Sequence, residues 1–379
     1  MSKLTVLFDF DNHLHKSFFS SNIITKGKLL DTEKDQHIFM RKIATDFAFI
    51  CRMIAGTDGG KIDRLIVCKD KYSWRKDVDM VDAPAYKSNR KRDDTCVNWE
   101  AFSEIGNDFI KILSELNVET LQISGAEGDD LMFLASQQAF NNGDNVIICT
   151  GDSDIHQLVK FNNKNFIVVF NTKSTARFVH GAPNFMTWLQ TKLSDTNSTD
   201  LFGDLLNLQN NFGKSSYDTI NNLILQTGFI EVDPDNVLFN KIVCGDTSDA
   251  IPAILSWATV QKTGKVINNK ITENRAKVIK EMILDRGNGI NLFELSQYAD
   301  IFVRGIKQLY DKDVDKDTII RRLNRNTKLV MLSNETIPEN IIKTYKNMSC
   351  NEKIGNPIMD KMSMQGLLKG TKYFQGTAR

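Results

Sequence analysis

Residues 118–154 read VETLQISGAEGDDLMFLASQQAFNNGDNVIICTGDSD. Val118 to Ile123 has strand character, and Glu127 to Phe140 carries apolar residues at helical spacing. Asn145 to Cys149 (NVIIC) is a short unbroken apolar run of the kind buried inside a sheet. Strand, helix and strand joined by short links form the repeating unit of a parallel sheet covered by helices. The joints of this unit are acidic: Glu127, Asp129 and Asp130 open the helix, and Asp152 and Asp154 follow the second strand directly. Ligands of open sheets bind beyond the carboxyl ends of the strands, where these acids fall.

The same pattern continues upstream. Leu4 to Phe8 is an apolar run ending in Asp9, with Asp11 two residues on. His37 to Met53 shows helical spacing (Ile38, Phe39, Ile43, Phe47, Ile50). Arg64 to Cys68 is a second buried strand, ending at Lys69-Asp70. Residues 71–99 are charged, contain Pro84 and read as an irregular excursion, after which Phe102 to Leu116 returns to helix. Downstream, Phe166 to Phe170 and Ala176 to Val179 are further strands. After about residue 182 the pattern is mostly helical, with polar links near 194–200 and 207–216 and an acidic loop at Gly245 to Asp249. The expected architecture is an α/β core of mostly parallel sheet over 1–182, a helical region over 183–349, and a loosely held Gly/Lys/Met-rich tail over 350–379.

With 379 residues the chain can bury one large or two modest cores, and 41% hydrophobic with 25% charged residues is ordinary for a globular protein. The six cysteines (51, 68, 96, 149, 244 and 350) show no CxxC pair and no zinc spacing, so they are expected as buried reduced thiols. The N-terminus turns acidic after one short apolar run and no segment is long enough to span a membrane, which points to the cytoplasm. A net charge of +1 hides segregation: Lys69 to Arg92 holds eight Lys/Arg against four Asp, while the acids group elsewhere.

Each acidic motif has a plain alternative. DFDN suits a turn or helix cap, TGDSD an Asx-turn, and GAEGDD the positive end of a helix dipole. Together they are harder to explain without a cation, because acids from distant segments gathered at one sheet edge repel each other. Hard divalent ions such as Mg²⁺ take oxygen ligands, and two of them about 3.5–4 Å apart stabilise the attacking and leaving oxygens of a phosphoryl displacement. The stretch PAYKSNRKRD groups Tyr86, Lys87, Arg90, Lys91 and Arg92, preceded by Trp74, Arg75 and Lys76. Such a run is often a solvated loop, but basic residues with an interleaved aromatic also suit phosphates and unpaired bases.

At this point the motifs carry a resemblance. DFDN, CKD…WRK…YKSNR, GAEGDD, TGDSDIHQLV and VCGDTSDAIP stand in the order and approximate spacing of the flap endonuclease/5′-3′ exonuclease superfamily, across residues 4 to 255. The chain resembles most the bacteriophage branch typified by the T-even ribonuclease H, which removes RNA primers during DNA replication. The resemblance implies a PIN-like core, a helical arch at about 71–99, a helix-three-turn-helix element that grips duplex, and a monomer. It implies two Mg²⁺ ions, for which Mn²⁺ can substitute: Asp9, Asp70, Glu127, Asp129 and Asp130 serve the first, Asp152 lies between them, and Asp154, Asp246 and Asp249 serve the second, partly through water. Lys87 and Arg90 match the pair that contacts the scissile phosphate, with Asp152 among the catalytic residues, and Tyr86 matches an aromatic on which a terminal base stacks. Asp11 falls where the family tolerates uncharged residues. The implied substrates are branched or nicked DNA and RNA–DNA hybrids with a free 5′ end, cut to leave 5′-phosphates.

The chain departs from the family after Pro252, where AILSWATVQKTG lacks the glycine-rich turn that in many members binds K⁺ and duplex backbone. A K⁺ site therefore stays open. Met364 to Phe374 departs in spacing from a clamp-docking tail, which leaves recruitment by a sliding clamp or a single-stranded-DNA-binding protein open too. Two rival readings are a haloacid-dehalogenase-type phosphatase, for which DFDN would be the nucleophile motif, and a structure-specific DNA-binding protein without catalysis. The first leaves GAEGDD, TGDSD and YKSNR without roles; the second would normally have lost several of the acids.

Overall fold

The computed structural model describes residues 3–21, 23, 27–55, 62–80, 82–90, 93–172, 177–181, 184–185, 187–188, 229–261, 263, 265–286, 289–349, 357–358 and 361–374. The chain divides into two compact units, one of residues 1–72, 92–232 and 339–379 and one of residues 73–91 and 233–338. The second unit thus begins fifty residues later than the composition change near 182 suggests, and it recruits the basic segment. The change in polarity marks residues that belong to the first unit or lie outside the described ones.

The first unit is built on strands β1 (Leu4–Asp9), β2 (Arg64–Cys68), β3 (Glu119–Leu121), β4 (Asn145–Thr150), β5 (Lys160–Phe161), β6 (Phe166–Asn171), β7 (Arg177–His180) and β8 (Phe229–Glu231). The sheet order is β3-β2-β1-β4-β6-β7-β8, with β5 paired to β6. The first five strands of that order are parallel, while β5 and β7 run antiparallel to β6. Every residue of β1 and β4 is buried, as expected when helices cover both faces of a sheet. Helices α1 (Phe10–Phe19), α2 (Glu33–Ala55) and α3 (Trp99–Ser114) pack on the face carrying Val6, Phe8, Val67 and Ile147. Helix α4 (Gly128–Asn141) packs against β1, β2 and β4.

The tail departs from expectation. Met362, Leu367, Leu368 and Tyr373 are buried in the core formed with α2 and α3, and Tyr373 Oη donates to Asp108 at 3.0 Å. Its Gly and Lys content disguises four apolar side chains spaced to fill one gap. The cysteine expectation fails at one described position: Cys51, Cys68, Cys149 and Cys244 are buried and free, but Cys96 is exposed and donates to Asp93.

In the second unit, helix α5 (Pro234–Cys244) leads into the GDTSD loop and an exposed hairpin, β9 (Ser256–Val260) with β10 (Val266–Lys270). Helices α6 (Glu273–Leu284), α7 (Ala299–Tyr310) and α8 (Lys316–Val330) complete a core around Phe239, Ile254, Ile279, Phe302 and Leu323. Asp233 and Asp315 cap α5 and α8 through their carboxylates. Asn326, fully buried, donates to Ile242 O at 2.8 Å and Pro252 O at 2.9 Å, which ties α8 to both α5 and the loop that follows it. In place of a helical arch, the described part of 71–99 is a short 3₁₀ turn (Trp74–Asp77) followed by turns, apart from the start of α3. Pro84 and positive φ at Tyr72, Asp82 and Lys87 are incompatible with a continuous helix there. No helix among the described residues is long and apolar enough to cross a membrane.

His13 on α1 gives the first unit a pH dependence. It is buried edge-on between the rings of Phe8 and Phe47, with Nε2 3.4 Å from Ile43 O and no partner for Nδ1 among the described residues. Burial pushes its pKa down to about 4, against an opposing pull from Asp46. A base whose folded pKa is depressed is neutral in the fold, so stability is lost as pH falls through the window from 6.5 toward 4. Chemical denaturation should show a loss on the order of 2 kcal/mol between pH 7 and 4.5 from this residue, and His13→Leu should flatten that part of the profile.

Candidate active site

The acids of the first unit are gathered by strand pairing. β1 lies between β2 and β4, with Asp9 opposite Cys68 and Phe8 opposite Cys149. Asp70 and Asp152 therefore leave the sheet at the same edge as Asp9. Each is then fixed locally. Asp9 caps α1 through Asn12 N at 3.1 Å and accepts from Thr150 Oγ1 at 2.7 Å. Asp70 Oδ1 accepts from Gly128 N at 2.6 Å, at the start of α4. A Cβ at Gly128 would stand 3.2 Å from that oxygen, which explains the glycine inside GAEGDD. Asp152 caps the 3₁₀ turn Ser153–Leu158 through Asp154 N at 3.0 Å.

Glu127, Asp129 and Asp130 sit at the positive end of α4. Asp130 is wholly buried and its carboxylate accepts from Glu127 N at 3.1 Å, so it braces its own helix. Glu127 is buried, while Asp129, Asp152 and Asp154 are half-buried. Asp9 carries the electrostatic strain of the edge. Burial pushes its pKa up to about 7, Asp70 and Asp11 push the same way, and the bonds from Thr150 and Asn12 oppose them. An edge of hard oxygen donors whose innermost member resists ionisation suits a divalent cation. Among the described residues no three His, Cys, Asp or Glu side chains close on a common point.

Three residues outside the expected set help build this edge. Asp11 accepts from Asp70 N at 2.7 Å, Asn12 Oδ1 accepts from Gly151 N at 3.0 Å, and Thr150 bridges Asp9 and Asp152 N. The first two were visible as neighbours in DFDN. Thr150 could be found only by knowing that β4 pairs with β1.

The basic segment behaves differently from its sequence reading. Arg75 is buried, lies on the Trp74 ring and donates to Leu329 O at 2.8 Å, so it holds structure and presents nothing to a phosphate. Tyr86 is part of the second core and donates to Asp249 Oδ2 at 2.9 Å, so its ring is not an open stacking platform. Arg90 pairs with Asp249 Oδ1 and Lys87 Nζ lies 3.8 Å from Oδ2. Asn89 donates to Thr247 O at 2.6 Å. Lys76 is exposed, and Lys91 and Arg92 lie outside the described residues. In the GDTSD loop, Asp246 pairs with Lys241 and accepts from Ser248 N at 2.8 Å. Burial pushes the Asp246 carboxyl up, but Lys241 and Ser248 outweigh it and hold it low.

Residues 4–183, just under half of the chain, match the model of a family described as 5′-3′ exonuclease, N-terminal resolvase-like domain. A DNA polymerase I of Synechocystis sp. is 24% identical over 257 residues, which is 67% of this chain and 21% of that protein. The chain thus spans about a fifth of the length of this relative. Among solved structures, the bacteriophage T5 flap endonuclease in a complex with DNA and metal ions is 16% identical, with 91% of this chain and 97% of that one covered and a TM-score of 0.47. The T5 5′-exonuclease with zinc bound is also 16% identical, with 91% and 98% covered and a TM-score of 0.46.

Gly245 sets the shape of the acidic loop. Its φ is +70° with ψ near 180°, and a Cβ there would fall 2.4 Å from Ile251 O and 2.5 Å from Ala253 N. Gly245→Ala should cost more than about 2 kcal/mol, read from the denaturation midpoint of the purified protein.

Proposed function

We propose that this chain is a divalent-metal-dependent 5′-nuclease of the flap endonuclease/5′-3′ exonuclease family, acting on branched or nicked DNA and RNA–DNA hybrids during replication. The observation that carries the reading is the gathering of Asp9, Asp70 and Asp152 at the ends of three adjacent parallel strands, inside the stretch that the exonuclease family model covers. The relative named as a DNA polymerase I, matched over 67% of this chain, points the same way. The phage branch, the helix-three-turn-helix role of the second unit and the cytoplasmic location belong to this proposal.

Asp9, Asp70, Glu127 and Asp129 would hold a divalent ion such as Mg²⁺, with Asp130 bracing the helix that presents two of them. Asp152 and Asp154, which follow β4, would contribute further oxygen ligands for divalent metal. When bound, such ions make water acidic and neutralise charge that develops on phosphate. The chain's own contribution is to fix its carboxylates before substrate arrives: Thr150, Asn12, Asp11 and Gly128 each hold one acid or its loop in place. Lys87 and Arg90 offset charge on the oxygens of the scissile phosphate, which is often the largest single contribution to phosphoryl transfer. Asp246, tied to Lys241, orders its loop.

The deciding experiment is digestion of a 5′-labelled flap beside a nicked RNA–DNA hybrid, with Mg²⁺ and with EDTA. Cleavage leaving 5′-phosphate products only with Mg²⁺ is expected. Trapping of a phosphorylated aspartate with no nuclease activity would favour the phosphatase reading instead. Asp152→Asn should bind the flap with wild-type affinity yet lose cleavage by about 10²-fold or more, so wild-type rates in that variant would refute its role. Lys87→Ala should slow single-turnover cleavage far more than it weakens binding; equal losses would make it a phosphate anchor only.

A further inference from the structure

Asp249 is the point on which the basic segment closes. Its Oδ2 accepts from Tyr86 Oη at 2.9 Å and faces Lys87 Nζ at 3.8 Å, and its Oδ1 pairs with Arg90. The backbone joins in: Lys87 N donates to Asp249 O at 2.8 Å, Asn89 donates to Thr247 O, and Arg90 Nε reaches Ser248 O at 3.5 Å. Lys87 and Ala250 both adopt positive φ, at 56° and 59°, a conformation that side chains other than glycine hold only where the surroundings over-determine it. Asp249 is buried, whereas the Arg90 side chain is 55% exposed. The carboxylate is therefore anchored and the guanidinium faces outward.

We infer that Asp249 is a positioning residue that sets Lys87 and Arg90 for phosphate, and is not a ligand of the second metal ion. Both of its oxygens already face donors, and two of those donors are cations that would repel a dication brought to the same group. Tyr86 belongs to the same device: its ring is locked in the core and its hydroxyl holds one oxygen of Asp249, so the aromatic serves the clasp and not a base. The inference rests on the reading of Lys87 and Arg90 as the phosphate pair. Within that reading it moves the acid of the GDTSD loop from metal chemistry to the geometry of the cations.

Three measurements on the full chain test it. Hydrogen exchange of residues 82–90, without metal or DNA, should accelerate by about tenfold or more in Asp249→Ala and be partly restored in Asp249→Asn, which keeps an oxygen for Tyr86 Oη. Unchanged exchange in Asp249→Ala would overturn the inference. Mn²⁺ titration followed by electron paramagnetic resonance should give the same stoichiometry for Asp249→Asn as for wild type; loss of one bound ion would make Asp249 a ligand after all. In single-turnover cleavage, Asp249→Asn combined with Arg90→Ala should be no slower than the slower single variant within about threefold, because both disable one unit. Losses that multiply would show independent roles and refute the clasp. Tyr86→Phe, which deletes only a hydroxyl, should slow cleavage with Mn²⁺ binding intact, and wild-type rates there would count against it. Wild-type protein that neither cleaves flaps nor binds Mn²⁺ would defeat the nuclease reading, while the exchange measurement would still decide the clasp.

Discussion

Parallel pairing of β1 with both β2 and β4 is the constraint from which the candidate site follows. Carboxylates do not seek each other's company. Two of them a few ångströms apart near a protein surface repel by about 2–4 kcal/mol. Burying Val6, Leu7 and Phe8 in β1 alone contributes roughly 1.5–3 kcal/mol for each side chain. Hydrophobic burial thus fixes the register, and the register places Asp9, Asp70 and Asp152 at one edge whether or not their charges agree. The raised pKa of Asp9 is the local record of that imbalance.

The parts of the fold that could be read from the sequence are those decided by neighbours along the chain. LTVLF, RLIVC, NVIIC and FIVVF are apolar runs bounded by turn residues, and all became strands of one sheet. GAEGDD and TGDSD announced helix and turn starts, and Glu127 and Asp152 cap such starts. What escaped depends on partners far away. Arg75 looked like a phosphate contact because nothing near it reveals Leu329 O, 254 residues on. Tyr86 looked like a stacking surface because its partner, Asp249, is 163 residues distant. Local pattern reports which side chains are charged or aromatic; it is silent on which of them the fold spends internally.

Asp9 in the first unit and the acids of the GDTSD loop in the second are held by different donors. In the first, Asp9 accepts from the Asn12 backbone amide and the Thr150 hydroxyl, donors that orient an anion without cancelling its charge. In the second, Asp246 and Asp249 each meet a lysine or arginine, which cancels charge and favours order over reactivity. That difference separates residues that keep a field available for a ligand from residues that use theirs to fasten a loop.

The return of residues 362–373 to the first unit bears on how the chain is made. A ribosome releases the helices α5 to α8, and with them every segment of the second core, before Leu367, Leu368 and Tyr373 emerge. Domains form as units during synthesis, so the inserted unit closes first although its host began earlier. The gap between α2 and α3 stays open until that late stretch arrives. Translation order and assembly order are therefore inverted, and α2 and α3 must wait, partly uncovered, for a plug encoded more than two hundred residues after them.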